Sequence, residues 1–321
     1  MGDLESVVVA VDLGATSIKG ALVDHVGHRV FELQVPTDRE RGPGAVLGRL
    51  VETVAKLVDR ASALLLVSEA IAVAACGVVD AANFLVTSVN LGWQRVEVAS
   101  ALATKTKLKV TLVNDAHAGA IGEGRLGAAR DHDDFLYVAL GTGIGAAIIQ
   151  GGRPVRGAHN HSGELGHMRI SSTGATCACG AVGCLETWMS APAVQSRFLA
   201  ATGVDQAPSA DRIVELAVAG DPVAVAVWND AIDALAFGLL NATMLLDPGA
   251  IVVGGGMSLA GAALFDRLRE RFSQRASSFQ VLPEIRQAEL GPWSGCVGAS
   301  LIAWQNLKET LAAQRVGGAA G

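Results

Sequence analysis

The stretches VVVAVDLGAT (residues 7–16) and DFLYVALGTG (residues 134–143) repeat one pattern, an apolar strand that ends in a glycine turn. Short β-branched and apolar runs bounded by glycine-rich turns are typical of strands. Two further strands are predicted after each copy, and they lie at Ile18–Val23, Arg29–Val35, Gly145–Gln150 and Arg153–Arg156. The repetition predicts a chain built from two similar halves.

Helical patterns follow the strands in both halves. Pro43 opens a predicted helix that runs to about Arg60 and keeps its apolar residues on one face. A longer helix is predicted from Pro222 to Leu246, with Asp221 as its N-cap. Helices that follow strands predict an α/β fold with a mixed sheet in each half.

The first glycine turn carries polar groups suited to a phosphate. Glycine lets the backbone of Gly14 approach a phosphate closely, the Thr16 hydroxyl can donate to it, and Asp12 can hold Mg²⁺ directly or through water. An ordinary Asp-Gly turn between strands is the alternative. The second turn, GTGIGA from Gly141, matches a dinucleotide fingerprint that requires a helix next, whereas a β-branched strand follows here. A second phosphate-binding hairpin fits better, and two such hairpins can hold a triphosphate.

Two further strand ends carry candidate functional groups. Asn114 and Asp115 follow the strand Lys109–Val113, where a carboxylate can accept the proton of an attacking hydroxyl. An ordinary Asx turn is the alternative. The glycine triplet 254–256 follows another buried strand and can place an adenosine against backbone, or merely join strand to helix.

One His and three Cys stand close together in GELGH and CACGAVGCLE. His167, Cys177, Cys179 and Cys184 offer one imidazole and three thiolates, a ligand set suited to tetrahedral Zn²⁺. Because four protein ligands leave no open position for water, we expect a structural zinc site. A buried cluster of free cysteines and a disulfide are the alternatives.

Composition argues against two classes of protein. The formal net charge is −6 and no run of Lys or Arg occurs, so we expect no nucleic-acid partner. Residues 61–79 are apolar, but Ser68 and Glu69 interrupt them, which favours a helix end and a buried strand at Ala70–Ala75 over a membrane span. Five cysteines, three of them clustered, fit a reducing compartment, so we expect a cytoplasmic protein without membrane partners.

Taken in order, the motifs DLGAT, ND, LGTGIG, GELGH, CACGAVGCLE and DPGAIVVGGG resemble the ROK family of sugar kinases and repressors. The likeness extends from about Val7 to Leu307. It implies a duplicated actin-like (ribonuclease H-like) fold of two domains around an interdomain cleft. We expect a smaller N-terminal domain at 1–115, completed by a C-terminal helix at about 297–321, and a larger domain at 116–296 with the zinc-bound loop.

The resemblance also implies roles for individual residues. Asp115 matches the catalytic base of the family. The expected sugar-binding residues are Gly77, Asn90, Asn114, Asp115, Glu164, His167 and Glu186. The expected ATP-binding residues are Asp12, Gly14, Thr16, Lys19, Gly141, Thr142, Gly254 and Gly255. His167, Cys177, Cys179 and Cys184 match the zinc ligands, and His167 would direct its other ring nitrogen towards the sugar.

The sequence departs from the family pattern near the sugar site, where Cys76–Asp80 lacks a proline that is frequent there. Family repressors carry a helix-turn-helix domain before the first phosphate loop. Since 11 residues precede Asp12, we expect no such module. The expected activity is ATP-dependent phosphorylation of a hexose 6-hydroxyl, with glucose first. A kinase of N-acetylmannosamine, N-acetylglucosamine or fructose and a non-catalytic sugar-binding regulator are the alternatives, and the family likeness suggests a homodimer or homotetramer.

Overall fold

The computed structural model describes residues 5–80 and 84–317. Its contacts divide the chain into two compact units. Unit 1 comprises Met1–Leu126 and Trp293–Gly321, and unit 2 comprises Gly127–Pro292. The expected domains, at 1–115 with 297–321 and at 116–296, stay a prediction.

Unit 1 contains a five-stranded sheet, a three-stranded sheet and four helices. The strands are β1 (Ser6–Leu13), β2 (Ser17–Val23), β3 (Arg29–Pro36), β4 (Val67–Ala75), β5 (Val78–Asp80), β6 (Leu85–Ser88), β7 (Trp93–Val96) and β8 (Lys109–Asn114). The helices are α1 (Pro43–Ala63), α2 (Val98–Thr106), α3 (Asp115–Leu126) and the C-terminal α9 (Ser294–Gly317). The large sheet has the order β3-β2-β1-β4-β8, and β5-β6-β7 form the small one.

Helices cover both faces of the large sheet of unit 1, and its central strand β1 is therefore buried on both sides. Residues 7–11 of this strand are buried whichever way they point, as expected for a strand covered on both sides. On one face, Leu50, Val54 and Leu57 of α1 pack with Val9 and Val11 in one apolar cluster. On the other face, the cluster is built mostly of alanines from β4, α3 and α9, and small side chains let these backbones approach closely.

The register of the large sheet brings three chain segments to one edge. β1, β4 and β8 are parallel, and Leu13 stands beside Ala75, which stands beside Asn114. The segments that follow these residues therefore leave the sheet side by side. In sheets of this kind ligands bind outside the carboxyl ends of the strands.

Unit 2 repeats the same strand order around its own core. Its strands are β9 (Phe135–Leu140), β10 (Ile144–Gln150), β11 (Arg153–Pro154), β12 (Ala250–Gly254) and β13 (Glu284–Gln287), in the order β11-β10-β9-β12-β13. Its helices are α4 (Glu186–Met189), α5 (Ala191–Thr202), α6 (Ala210–Val218), α7 (Pro222–Leu246) and α8 (Ala262–Arg275). Leu136 and Val138 of β9 pack with Leu185, Trp228 and Phe265 in the largest apolar cluster of the unit.

Helix α7 follows the sequence pattern closely. It spans Pro222–Leu246 as predicted, and the Asp221 carboxylate accepts the backbone N–H groups of Val223 and Ala224 at 3.0 and 2.8 Å. Among the described residues it is the one helix with the length and apolar composition of a membrane span. Most of that apolar stretch is buried within unit 2, as in the core helix of a folded domain.

The predicted mixed α/β sheet in each half is confirmed, and two local expectations differ. The segment after Val113 continues as helix α3, which the sequence pattern did not predict because its face of Ala and Gly carries little apolar contrast. The third strand of the second copy is only the pair Arg153–Pro154, shorter than the predicted Arg153–Arg156. The predicted helix end and buried strand within 61–79 are confirmed.

Candidate functional site

The first hairpin, residues 12–19, joins β1 to β2 and carries one acidic side chain, Asp12, and one basic side chain, Lys19. Asp12 and Lys19 are cross-strand partners, with Lys19 Nζ 3.7 Å from Asp12 Oδ2. Burial raises the pKa of Asp12 above its ordinary value, and the nearby Lys19 ammonium opposes that rise. A partly buried carboxylate next to a single ammonium is a suitable oxygen ligand for a divalent cation.

The turn of the first hairpin is held from outside by Thr37, a fully buried residue just after β3. Its hydroxyl donates to Gly14 O at 2.7 Å, and its backbone N–H donates to Thr16 O at 3.0 Å. Within the turn, Gly14 N–H donates to Ser17 O at 3.1 Å. Sequence reasoning missed Thr37, since a single threonine after a strand carries no distinguishing signal.

Asn114 and Asp115 lie where β8 passes into α3. Asn114 caps the helix, since its Oδ1 accepts the backbone N–H of His117 at 3.0 Å. Its amide donates to Gly77 O at 2.9 Å and so ties the end of β8 to the segment after β4. Gly77 has a φ of +108°, and a Cβ there would lie 2.3 Å from Thr87 O, so glycine is required.

Asp115 is the first residue of α3 and is half-buried. One carboxylate oxygen, Oδ1, accepts the N–H of Ala116 at 2.9 Å, which is the usual stabilising position for an acid at a helix N-terminus. Burial, followed by the charge of Asp115, raises the pKa of Cys76 to about 12, so the Cys76 thiol is neutral. Asn90 is an exposed residue of the 3₁₀ turn Val89–Leu91.

The second hairpin, residues 140–144, joins β9 to β10 and carries no charged side chain. An antiparallel strand follows it, so the expectation that it is not a dinucleotide fingerprint is confirmed. Gly141 N–H donates to Gly143 O at 2.9 Å, and Gly141 O accepts the N–H of Ala191 at 2.9 Å. The Ile144 N–H donates to Glu186 Oε2 at 2.9 Å.

Glycine is required at two points around the second hairpin. A Cβ on Gly143 would lie 2.6 Å from Glu186 Oε2, so the carboxylate occupies the space that a side chain would need. Gly255 has a φ of +81°, and its Cβ would lie 2.3 Å from Leu140 O. Since Gly254 pairs with Ala139, the predicted ATP-binding residues Gly141, Thr142, Gly254 and Gly255 lie within one edge of the unit 2 sheet.

The four predicted metal ligands come together and form what we call the His–Cys cluster: His167, Cys177, Cys179 and Cys184. Their ligand atoms all lie within 4.8 Å of one another. Cys179 Sγ is 3.7 Å from Cys184 Sγ, and Cys177 Sγ is 3.6 Å from His167 Nδ1. Ligand atoms of a tetrahedral zinc site with bonds of about 2.0–2.3 Å stand about 3.5–3.8 Å apart, so these two distances match such a site.

The thiols of the cluster are free and differ in their acidity. All five cysteines are free, and 3.7 Å is far beyond a disulfide bond of about 2.05 Å, so the disulfide alternative is wrong. Burial, with the hydrogen bond from Cys179 and the nearby thiols, raises the pKa of Cys184 to about 12. A backbone hydrogen bond with Ala181 instead lowers the pKa of Cys179, so the thiols of the cluster differ in how readily they ionise.

Both predicted glutamates flank the His–Cys cluster. His167 turns Nδ1 towards Cys177, and its Nε2 lies 3.9 Å from Glu164 Oε2. The other glutamate, Glu186, places Oε1 3.9 Å from Cys177 Sγ while its Oε2 accepts the Ile144 N–H described above. Glu186 therefore joins the cluster to the second hairpin.

The loop before His167 lies directly on β10, because two of its glycines have no side chain. A Cβ on Gly163, where φ is +84°, would lie 2.3 Å from Ala146 O, and one on Gly166 would lie 2.3 Å from Ile144 O. Glu164 stands between them with its side chain 45% exposed. The spacing of glycines in GELG was visible in the sequence, but its meaning depends on the neighbouring strand.

Each unit thus gathers its own set of predicted residues. Unit 1 holds Asp12, Gly14, Thr16 and Lys19 on the first hairpin and Gly77, Asn114 and Asp115 at the same edge of the sheet, and Asn90 lies on the 3₁₀ turn after β6. Unit 2 holds the His–Cys cluster, Glu164, Glu186 and the glycines of the ATP-binding set. The catalytic and ligand-binding roles assigned to these residues stay predictions.

Comparison with known proteins gives one consistent answer at the level of the family. A model of the ROK family matches residues 8–306. The glucokinase of Thermotoga maritima is 32% identical over 311 residues, which cover 92% of this chain and 96% of that protein. The xylose repressor of Caldicellulosiruptor bescii is 29% identical over 287 residues, which cover 84% of this chain and 70% of the repressor.

A solved structure agrees with this assignment. The ROK family glucokinase from Streptomyces griseus in complex with glucose and AMPPNP superimposes with a TM-score of 0.83 at 30% identity, covering 92% of this chain and 98% of that one. The chain therefore belongs to the ROK family and has the actin-like two-domain α/β fold of the ROK kinase structures.

Proposed function

We propose that the chain is an ATP-dependent hexose kinase that phosphorylates the 6-hydroxyl of its substrate, with glucose as the expected hexose. One observation carries the proposal: the first hairpin with Asp12 and the carboxylate of Asp115 lie at the same edge of one sheet. A phosphoryl transfer needs a metal ligand and a group that takes the proton of the acceptor hydroxyl. The similarity to glucokinases supports the same reading.

In the proposed reaction, Asp115 accepts the proton of the 6-hydroxyl. That oxygen forms a bond to the γ-phosphorus of ATP, and the bond from this phosphorus to the leaving oxygen of ADP breaks. Asp12 would hold Mg²⁺, which when bound neutralises charge on the phosphates. Backbone amides of the two glycine hairpins would orient the ATP phosphates, together with Thr16 and Lys19.

Each unit contributes its own set of residues to the proposed list of sugar contacts. Unit 1 would supply Gly77, Asn90, Asn114 and Asp115, and unit 2 would supply Glu164, His167 and Glu186. His167, Cys177, Cys179 and Cys184 would hold a structural zinc ion, whose contribution is to fix the loop that carries Glu164 and Glu186. With Nδ1 on the metal, the ring N–H of His167 would lie at Nε2, where it could donate to a sugar hydroxyl or to Glu164.

The proposal extends to location and assembly. Five free cysteines support a cytoplasmic enzyme. Large apolar side chains of unit 2 stand exposed, among them Leu245 at 82%, Phe279 at 73% and Val281 at 81%, which supports a homodimer or homotetramer. Light scattering coupled to gel filtration measures the assembly directly, and a monomer at micromolar concentration would contradict this part of the proposal.

Coupled detection of ADP release across a panel of sugars tests the activity. Glucose, fructose, N-acetylmannosamine and N-acetylglucosamine serve as substrates, and 6-deoxyglucose serves as the matched control because it lacks the acceptor hydroxyl. We expect the highest kcat/KM with glucose and no sugar-dependent release with 6-deoxyglucose. Preference for another hexose would revise the substrate, and no release with any hexose would overturn the kinase proposal.

The similarity to a xylose repressor favours a second candidate, a regulator that binds sugar without phosphorylating it. Calorimetry with xylose and glucose, performed beside the kinetic assay, separates the two. Sugar binding without ADP release would support the regulator, whereas binding with turnover supports the kinase.

A further inference from the structure

Helix α3 contains a fully buried glutamate that the proposed reaction does not use. Glu123 lies eight residues after Asp115, about 12 Å along the helix axis. It has no exposed surface, and its Oε1 accepts the Ser294 hydroxyl at 2.7 Å. A buried carboxyl is costly to retain in a core unless polar partners surround it, so its position calls for a structural reason.

Ser294 is the first residue of α9, and the first turn of that helix touches both strands of the first hairpin. A Cβ on Gly295 would lie 2.9 Å from Asp12 Cγ and 3.0 Å from Asp12 Oδ2, so the helix backbone stands directly against this carboxylate. The next residue, Cys296, donates its thiol to Lys19 O at 3.5 Å. Asp12 therefore lies against the amide end of a long helix, which carries partial positive charge.

A second close contact fixes α9 against α3. A Cβ on Gly298 would lie 1.7 Å from Ala118 O, so the two helix backbones touch there. This contact sets how far apart the helices are, and the Ser294–Glu123 hydrogen bond fixes the beginning of α9 along α3. Together the two contacts fix the position of α3, which begins at Asp115, relative to the first turn of α9, which contacts Asp12.

We propose that Glu123 and Ser294 are positioning residues that hold the first turn of α9 against Asp12 and so tune the Mg²⁺–nucleotide half of the site. The proposal rests on the proposed function in that Asp12 belongs to that half. Loss of the Ser294 hydroxyl releases the first turn of α9, and Gly295 then no longer confines the Asp12 carboxylate. Nucleotide affinity in the presence of Mg²⁺ falls as a result, while sugar affinity does not.

The test measures binding of AMPPNP with Mg²⁺ by calorimetry, so that it does not depend on turnover. Ser294→Ala is compared with Ser300→Ala, a matched control in which the lost hydroxyl is also buried in α9 but bonds only Val297 O of its own helix, at 2.7 Å. We expect Ser294→Ala to weaken Mg²⁺–AMPPNP binding about tenfold, the scale of a lost buried hydrogen bond, with glucose binding changed less than about twofold. Ser294→Thr, which keeps the hydroxyl, restores binding, and Gly295→Ala weakens it with the Glu123 hydrogen bond intact.

Different results would overturn the proposal. Equal nucleotide affinity for Ser294→Ala and Ser300→Ala, with only the melting temperature lowered, would reduce Ser294 to a packing role. An equal loss of glucose affinity would also overturn it, as would a wild-type chain that binds no Mg²⁺–AMPPNP. Nucleotide binding without phosphorylation of any hexose would instead refute the proposed function and leave the comparison of Ser294 with Ser300 valid.

Discussion

The two hairpins have the same place in their sheets but differ in what surrounds them. The first hairpin carries Asp12 and Lys19 and is held by the hydroxyl and N–H of Thr37. The second has no charge of its own and is held by the Glu186 carboxylate and the N–H of Ala191. Duplication has thus kept the strand order while the supporting side chains have diverged.

This difference separates two kinds of chemistry. Unit 1 supplies carboxylates at strand ends, which suit a divalent cation and proton transfer. Unit 2 supplies a neutral glycine turn whose position depends on the loop of the His–Cys cluster. If the comparison is correct, loss of the Asp12 or Asp115 carboxylate lowers nucleotide affinity or the rate of the chemical step, whereas damage to the unit 2 loop lowers sugar affinity.

Asp115→Asn gives the largest expected effect. The amide oxygen can still accept the Ala116 N–H, so the start of α3 is retained, but the side chain no longer accepts a proton. We expect kcat to fall at least about 100-fold, the low end of general-base contributions, with glucose binding retained. Steady-state kinetics and calorimetry measure both, beside the exposed-residue control Asp205→Ala. Retention of more than about a tenth of kcat would exclude Asp115 as the base.

A variant of the His–Cys cluster tests the other half of the comparison, that the unit 2 loop determines sugar affinity. Cys179→Ser removes one expected ligand, and we expect bound zinc and sugar affinity to fall together, with sugar affinity reduced about 10–100-fold. Elemental analysis of protein purified without chelator measures the metal, and Cys296→Ala, outside the cluster, is the control for metal content. Less than about half an equivalent of zinc in the wild type would contradict a structural zinc site.

Much of this architecture could be predicted from the chain alone. The β-branched run before Asp12 and its second copy predicted both hairpins, and Pro222 and Asp221 marked the start of α7. These predictions are correct because local chemistry determines the features concerned: alternating burial, a capping carboxylate and a proline at the first helical position.

Other features depend on contacts between distant segments. Helix α3 was not predicted, because Ala and Gly dominate it and its burial comes from α9, far along the chain. Two other contacts were not predicted for the same reason: the hydrogen bond from Thr37 to the first hairpin, and the one between Glu186 and Ile144, which are 42 residues apart in sequence. Such contacts become visible only once the sheets are assembled.

Gly143→Ala tests whether Glu186 supports the second hairpin. The added methyl would meet Glu186 Oε2, so the carboxylate must move away from Ile144 N–H. We expect a loss of stability of about 1–2 kcal/mol in urea unfolding, within the usual range for a buried clash. Gly141→Ala is the matched control in the same turn, since nothing lies within 4 Å of its Cβ position. Its stability should stay within about 0.5 kcal/mol of the wild type, and a Gly143→Ala variant equally stable would rule out the supporting role.

Asp12→Asn gives the smallest expected effect on stability, and that effect depends on pH. Because burial raises the pKa of Asp12 in the folded state, its ionised form destabilises the fold at neutral pH, and that cost disappears as pH falls through the raised folded-state pKa towards the unfolded value. Asn removes the cost, so we expect the variant to be more stable than the wild type at pH 7, by a margin that shrinks in acid. Thermal unfolding from pH 7 down to pH 4 measures it. A variant that is less stable at pH 7 and recovers in acid would show that attraction to Lys19 outweighs burial, and the first hairpin would then be held by its charges as well as by Thr37.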